Sequence, residues 1–381
     1  MKSLVFCVMF LFSFSISNEK LEEYYLNKGI FYLYNYEFNQ SINYLDSVIF
    51  INPNHPVPYF VKIANKWLST QINDGYEASY EIIYSKIEET IPVYEKLITD
   101  NPQIAKNYLY LGSTHGLQAR VDLAKNNWFN IILSSYKGYN NIKIAKELNP
   151  DLFDIYMPIG LIEYLTSILP KPAQWAASLI GVIPNRELGL YHLNIAYEKS
   201  KYSWIESGNI LIYAYLYFEN NLELAKNISE NLYIKFPNHP YYLYLYAESL
   251  IRLNEIDNFE NTIIEMENKV YNYPEIQQNE CEIKFNYLMA LYFYQKKEFN
   301  KSIIHCNWIL QNYKMEMDWL LGYNYLLLGK INDLQGNRSQ ALKFYNKILE
   351  LNNLFIYDEW AIKYIKNPFS DTNKDPLFKY D

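Results

Sequence analysis

Cysteine is almost absent from this chain, with three in 381 residues. Cys7 lies in an apolar N-terminal run, which leaves Cys281 and Cys306. Two cysteines cannot build a disulfide framework, and their spacing lacks the close pairs of a structural zinc site. On paired helices they would lie about 13 Å apart along the axis, at about 1.5 Å per residue, beyond the reach of a disulfide. Both are expected as buried or free thiols. Histidine is equally sparse. His55, His115, His192, His239 and His305 are dispersed, and none forms His-Glu-x-x-His or an i, i+4 pair, so no metal site is expected. Glycine contributes only 12 residues. They never occur as Gly-x-x-x-x-Gly-Lys-Ser/Thr, Gly-x-Gly-x-x-Gly or Gly-x-Ser-x-Gly. These absences give no support to phosphate-loop, dinucleotide or nucleophile-elbow chemistry. The chain is read as a non-enzyme without cofactor.

Positive charge is in deficit as well: 34 Lys and Arg stand against 42 Asp and Glu, a formal net charge of −8. No basic run stands out. Phosphate-backbone binding needs clustered Lys and Arg, so the expected partners exclude nucleic acid. Tyrosine, by contrast, is abundant at 40 residues. Use of Asn, Ile, Lys and Tyr on this scale is what an AT-biased coding sequence produces, and it tempers the Asn-x-Ser sequons at Asn39, Asn227, Asn300 and Asn337.

What the chain does contain is a repeated register. Gly29, Tyr32, Ser41, Leu45, Val48 and Pro53 lie at offsets 0, 3, 12, 16, 19 and 24. Tyr213, Leu216, Ala225, Ser229, Leu232 and Pro237 keep the same offsets, as do Ala290, Phe293, Ser302, Cys306 and Ile309. Gly329, Asn332, Ala341, Tyr345 and Ile348 follow them again. Small residues at helical spacing let two helices approach to the short end of the usual 8–10 Å separation. Bulky residues four and seven further on fill the groove toward the next pair. No pair buries its apolar face alone, so neighbours must stack. Turn residues agree: Gln335-Gly336-Asn337 and Asn220-Asn221 tolerate left-handed backbone. Asn52-Pro53-Asn54-His55-Pro56 and Phe236-Pro237-Asn238-His239-Pro240 each end a helix.

This layout resembles the tetratricopeptide repeat family, clearly over 22–55, 206–239, 283–316 and 322–355. The resemblance implies an all-α fold, a solenoid of antiparallel helix pairs. Gly29, Ser41, Tyr213, Ala225, Ala290, Ser302, Gly329 and Ala341 then occupy the repeat-packing positions. A shorter stretch, with Gly160, Tyr164 and Gly181 through Leu190, resembles the middle of the tetratricopeptide repeat 39 family and its bacterial exported relatives. Some tetratricopeptide domains hold a partner's terminal carboxylate through Lys and Asn on first helices. The Asn position here carries Ile30, Ala214, Leu291 and Lys330, which gives that mode no support.

The expected organisation is a signal peptide over 1–17, repeats over 18–168, a Pro/Gly insertion over 169–190, repeats with a capping helix over 191–366, and a flexible tail over 367–381. The N-terminal run has a charged start, a short apolar core and small residues before the cut, and is too short for a comfortable membrane span of about 20 residues. Its removal takes one Lys and no acid, leaving 33 basic against 42 acidic residues and a net charge of −9. Localisation is expected to be periplasmic or cell envelope, or the secretory pathway in a eukaryote. Leu169-Pro170-Lys171-Pro172 is expected to exclude a continuous helix. Within the insertion, Trp175, Asn185 and Arg186 are the candidate partner-binding residues: an aromatic anchor, an amide and a cation. The expected function is a scaffold that holds a protein or peptide partner in a concave groove. The alternative is a cofactor-free enzyme or carbohydrate-binding subunit with a pocket beside Trp175.

Overall fold

The structure, a computed structural model, describes residues 2–125, 127–179, 181–351, 356–370 and 375–379, with side chains described from residue 18 onward apart from Trp128 and Ala176. Among the described residues it is all helical. The first pairs are α1 (Lys2–Tyr34) with α2 (Phe38–Ile51), α3 (Val57–Asp74) with α4 (Tyr76–Asp100), and α5 (Ala105–Ala124) with α6 (Trp128–Leu148). A 3-10 turn at Phe153–Ile155 leads into α7 (Tyr156–Ile168), α8 (Lys171–Leu179) and α9 (Arg186–Lys199). Then come α10 (Trp204–Tyr217) with α11 (Leu222–Lys235), and α12 (Pro240–Arg252) with α13 (Ile256–Val270). The last pairs are α14 (Glu275–Gln295) with α15 (Phe299–Asn312), and α16 (Trp319–Leu334) with α17 (Arg338–Glu350), closed by α18 (Tyr357–Lys366). The chain forms two compact units, Met1–Ile159 and Gly160–Asp381. No helix among the described residues is long and apolar enough to cross a membrane; the side chains of the expected signal segment lie outside them.

The small positions sit where helices touch. A Cβ on Gly29 would meet the Leu45 side chain at 2.8 Å, and one on Gly329 would collide with the Tyr345 ring. Each of these two glycines thus packs on the bulky residue sixteen further along. Ser41, Ala225, Ala290, Ser302 and Ala341 are fully buried. Ser302 Oγ donates to the Ala290 carbonyl at 2.7 Å, tying the two small positions of one pair together. Tyr213 differs: its ring lies edge-on to Trp319 at 6.2 Å, facing another repeat.

Each such pair turns through one left-handed residue seven after the first small position. Tyr36, Asn220, Lys297 and Gly336 have φ of 62°, 52°, 59° and 77°. Asn254 joins them at 63°, which marks α12–α13 as a fifth copy of the register, with Ala247 in the first small position. Phe259 fills its second one and is fully buried. In four of the five the residue after the left-handed one donates back five residues, as in Glu37 N to Tyr32 O at 2.9 Å and Glu255 N to Leu250 O at 3.0 Å, while Asn221 N reaches six back to Tyr215 O. Such a bond caps carbonyls that the helix end would otherwise leave open.

No continuous helix runs through Leu169-Pro170-Lys171-Pro172, as expected: α7 ends at Ile168, and Lys171 and Pro172 open α8. Proline is at home in the first turn, where its missing N–H costs nothing. The division between the two units falls within the residue range of α7, so residues 169–190 belong to the second unit. The tail expected to be flexible is anchored at Phe369, Asp375, Leu377 and Phe378, all buried, while Asn367, Pro368 and Lys379 are exposed.

Candidate recognition site in the second unit

The first helices of this unit, α10, α12, α14 and α16, carry their aromatic rings toward one another. Tyr217 of α10 lies 4.7 Å from the Trp319 ring and 5.4 Å from the Tyr323 ring, both on α16. Tyr323 Oη donates to the Tyr217 carbonyl at 3.2 Å. An inner face open along its length, as the groove expectation requires, is not what this unit has. Helical geometry divides the run Tyr241–Tyr246 as its periodicity demands: Tyr242 and Tyr244 are buried, while Tyr241 and Tyr246 stay half-buried.

At the centre of this face sit charges. Glu248 accepts from Tyr217 Oη at 2.5 Å and Tyr244 Oη at 2.6 Å. Arg252, one turn on, reaches Glu248 Oε1 at 3.4 Å. Its guanidinium also donates to Leu216 O at 2.9 Å, to Asn220 Oδ1 at 3.2 Å and, through Nε, to Leu377 O at 2.8 Å. Both side chains are fully buried. Such charges persist in a low-dielectric interior only when paired and hydrogen-bonded. Lys330 of α16 is likewise sealed in and pairs with Asp375. Burial pushes the Lys330 ammonium down to about 8, and the Asp375 carboxylate opposes that fall. The amine therefore stays charged at neutral pH. Tyr287 sits among these groups with its hydroxyl buried and no hydrogen-bond partner among the described residues.

The segment Asp375–Lys379 completes the site. Asp375 accepts from Tyr294 Oη at 2.8 Å, and the Phe378 ring stacks on Tyr294 at 5.8 Å and 12°. Lys379 N donates to the Arg252 carbonyl at 2.8 Å, and its ammonium pairs with Glu223 at 2.8 Å. Lys330, which directly follows the small residue of its helix, does hold a carboxylate. That carboxylate belongs to the chain itself.

The residues singled out in the insertion do not come together. Asn185 caps α9, its side chain accepting from Leu188 N at 3.0 Å. Arg186 is engaged with Glu219 at 2.7 Å and the Phe218 carbonyl at 2.8 Å. Trp175 is 67 % exposed. The short Gly…Tyr and Gly-Leu stretches, however, are two halves of one contact. A Cβ on Gly160 would meet Gly189 O at 2.7 Å, and one on Gly189 would meet Tyr164 N at 2.6 Å. Beside that backbone-to-backbone crossing, Glu163 bonds His192 at 2.7 Å and Tyr164 donates to Glu219 at 2.7 Å. His55 and His239, at equivalent turns, each accept from the backbone N–H two residues on at 3.3 Å. Among the described residues no group of His, Cys, Asp or Glu is placed to hold a metal ion.

The sequence reading missed Glu248, Arg252 and Asp375. Two of these lie in α12, whose register is masked by Phe259 in a small position. The third lies in a stretch whose composition reads as loose. Charge at helix positions i and i+4 gives a solvent-exposed face far more often than a buried one.

No protein-family model matches this chain, the repeat-39 family included, and no curated protein matches it. Among solved structures it is similar to the human IFIT1 dimer with PPP-AAAA, at 11% identity, over 91% of this chain and 83% of that one, with a TM-score of 0.43. The IFIT1 monomeric mutant with Gppp-AAAA gives 11%, 91%, 85% and 0.43. The human IFIT1 dimer with m7Gppp-AAAA gives 11%, 92%, 84% and 0.43. At these values the likeness says nothing of what this chain binds. The partner expectation of a protein or peptide in the groove and no nucleic acid is corrected only to this extent: those neighbours were solved with PPP-AAAA, Gppp-AAAA and m7Gppp-AAAA, so the exclusion of nucleic acid is withdrawn. The physical flaw lies in using net charge. It is a sum over the chain, whereas a ligand meets local charge.

Proposed function

We propose that this chain is an exported, non-catalytic binding scaffold whose ligand is recognised on the first helices of the second unit. The observation that supports this reading is the buried charged face of Glu248, Arg252 and Lys330, engaged by the turn at Asp375–Lys379. Repeat folds recognise ligands on surfaces that neighbouring repeats build together, and this face draws on four helices. Catalysis has no comparable support: the buried carboxylate of Glu248 is saturated by two tyrosines and an arginine. Crosslinking the tagged chain in its native cell envelope, followed by mass spectrometry of both protein and nucleic-acid fractions, tests the role. One ligand in stoichiometric yield, reduced by Glu248→Gln, is expected; recovery of none sinks the proposal. Export has its own readout: Edman sequencing of the mature chain is expected to begin at Asn18.

A further inference from the structure

We infer that Asp375–Lys379 is a detachable internal ligand: the first helices of the second unit form a receptor for a turn-forming acid–Pro–Leu–Phe–Lys segment, and the chain closes that receptor with its own residues. This rests on the scaffold reading above and says what occupies its recognition face.

Four features carry it. The segment is held through its main chain: Arg252 Nε donates to Leu377 O, and Lys379 N donates to the Arg252 carbonyl, each at 2.8 Å. The segment is itself a turn, with Phe378 N donating to Asp375 O at 3.2 Å and Leu377 N to Asp375 Oδ1 at 3.0 Å, so it docks as a self-contained unit. The side chains read as anchors, with Leu377 fully buried and Phe378 stacked on Tyr294. The charge count closes only with the segment in place, since Arg252 has Glu248 while Lys330 has Asp375. A fold that needed only a core there would gain as much from an apolar pair, because desolvating two ions offsets their attraction. Keeping the ions makes the face selective for an acidic group and lets both be rehydrated when the segment leaves. Finally, the far end is loose: Lys379 and its partner Glu223 are about half exposed (51% and 48%), so release can start from the surface.

The test uses full-length chains and a fluorescent peptide of residues 374–381, read by anisotropy. The wild type, whose tethered segment competes at roughly millimolar effective concentration, is expected to bind the peptide weakly. Leu377→Asp, which ejects the internal segment, is expected to bind it roughly tenfold tighter or more. Adding Lys330→Met, or replacing Asp by Asn in the peptide, should remove that gain. Circular dichroism and urea unfolding of Leu377→Asp accompany the measurement. A folded variant that ignores the peptide, or that takes an oligonucleotide instead, overturns the inference. So does loss of cooperative unfolding, which would make the segment part of the folding core. If the peptide fails but the wild type still yields its stoichiometric crosslinked ligand, the scaffold reading stands alone; the reverse pattern leaves the internal ligand and removes the scaffold.

Discussion

Single residues carry the turn geometry of this chain. Gly336 has φ of 77°, and a Cβ built there meets nothing within 4 Å. Any cost of a side chain is therefore backbone strain, about 1–2 kcal/mol for an L-residue in the left-handed region. Gly336→Val is expected to lower stability by about that amount. Gly336→Asn should be close to neutral, since Asn tolerates this conformation and already occupies it at 220 and 254. Urea unfolding of the two variants decides the matter, and equal midpoints would contradict it. Burial accounts for the serines of three of the sequons. Ser41, Ser229 and Ser302 stand where two helices touch and are fully buried, so their Asn-x-Ser spacing follows from packing.

Helix pairs are decided by how closely two backbones approach. In α5 and α6 the approach is made by glycine on both sides: a Cβ on Gly112 would meet the Gly138 carbonyl at 2.7 Å and Ile142 at 2.8 Å. Neither backbone can yield without moving its helix. Gly112→Ala should destabilise by about 1–3 kcal/mol, the usual cost of overpacking. One turn away in the same helix, a Cβ on Gly116 meets nothing within 4 Å. Gly116→Ala should stabilise by about 0.5–1 kcal/mol through helix propensity alone. Shifts of the same sign in thermal unfolding would reject the crossing as the controlling contact. The register around Gly29, Ala225, Ala290 and Gly329 was legible because small and bulky residues alternate at fixed offsets. Gly112, Gly138, Gly160 and Gly189 were not, since they mark closeness without a repeated spacing.

The whole molecule should be acid-sensitive. Burial lowers His115, His305 and His239, the last to about 3, where Lys284 adds repulsion. A histidine whose folded value lies below its unfolded value near 6.5 stabilises the fold fully above 6.5. That stability is lost as pH falls, because the unfolded chain takes up a proton the folded one refuses. Each fully displaced histidine then costs up to about 1.4 kcal/mol per pH unit. Asp358, raised by burial to about 6, acts in the opposite sense between 6 and its ordinary value of 3.8. Three groups against one leave a net loss. Urea midpoints are expected to fall between pH 7.5 and 4.5. His239→Asn, which keeps an acceptor for the Tyr241 N–H, should flatten that fall; an unchanged slope would remove His239 as its cause.

Much was written into the sequence alone: all-α character, paired helices, their turns, two free buried thiols and the lack of a nucleotide loop. Each follows from local spacing, which a helix of 3.6 residues per turn translates directly into contact. The recognition face was decided only on folding. Glu248 and Arg252 are one helical turn apart, but Tyr294, Lys330 and Asp375 follow at intervals of tens of residues. Pairing among buried charges depends on which helices surround them and on where the Asp375–Lys379 turn returns, which no local period encodes.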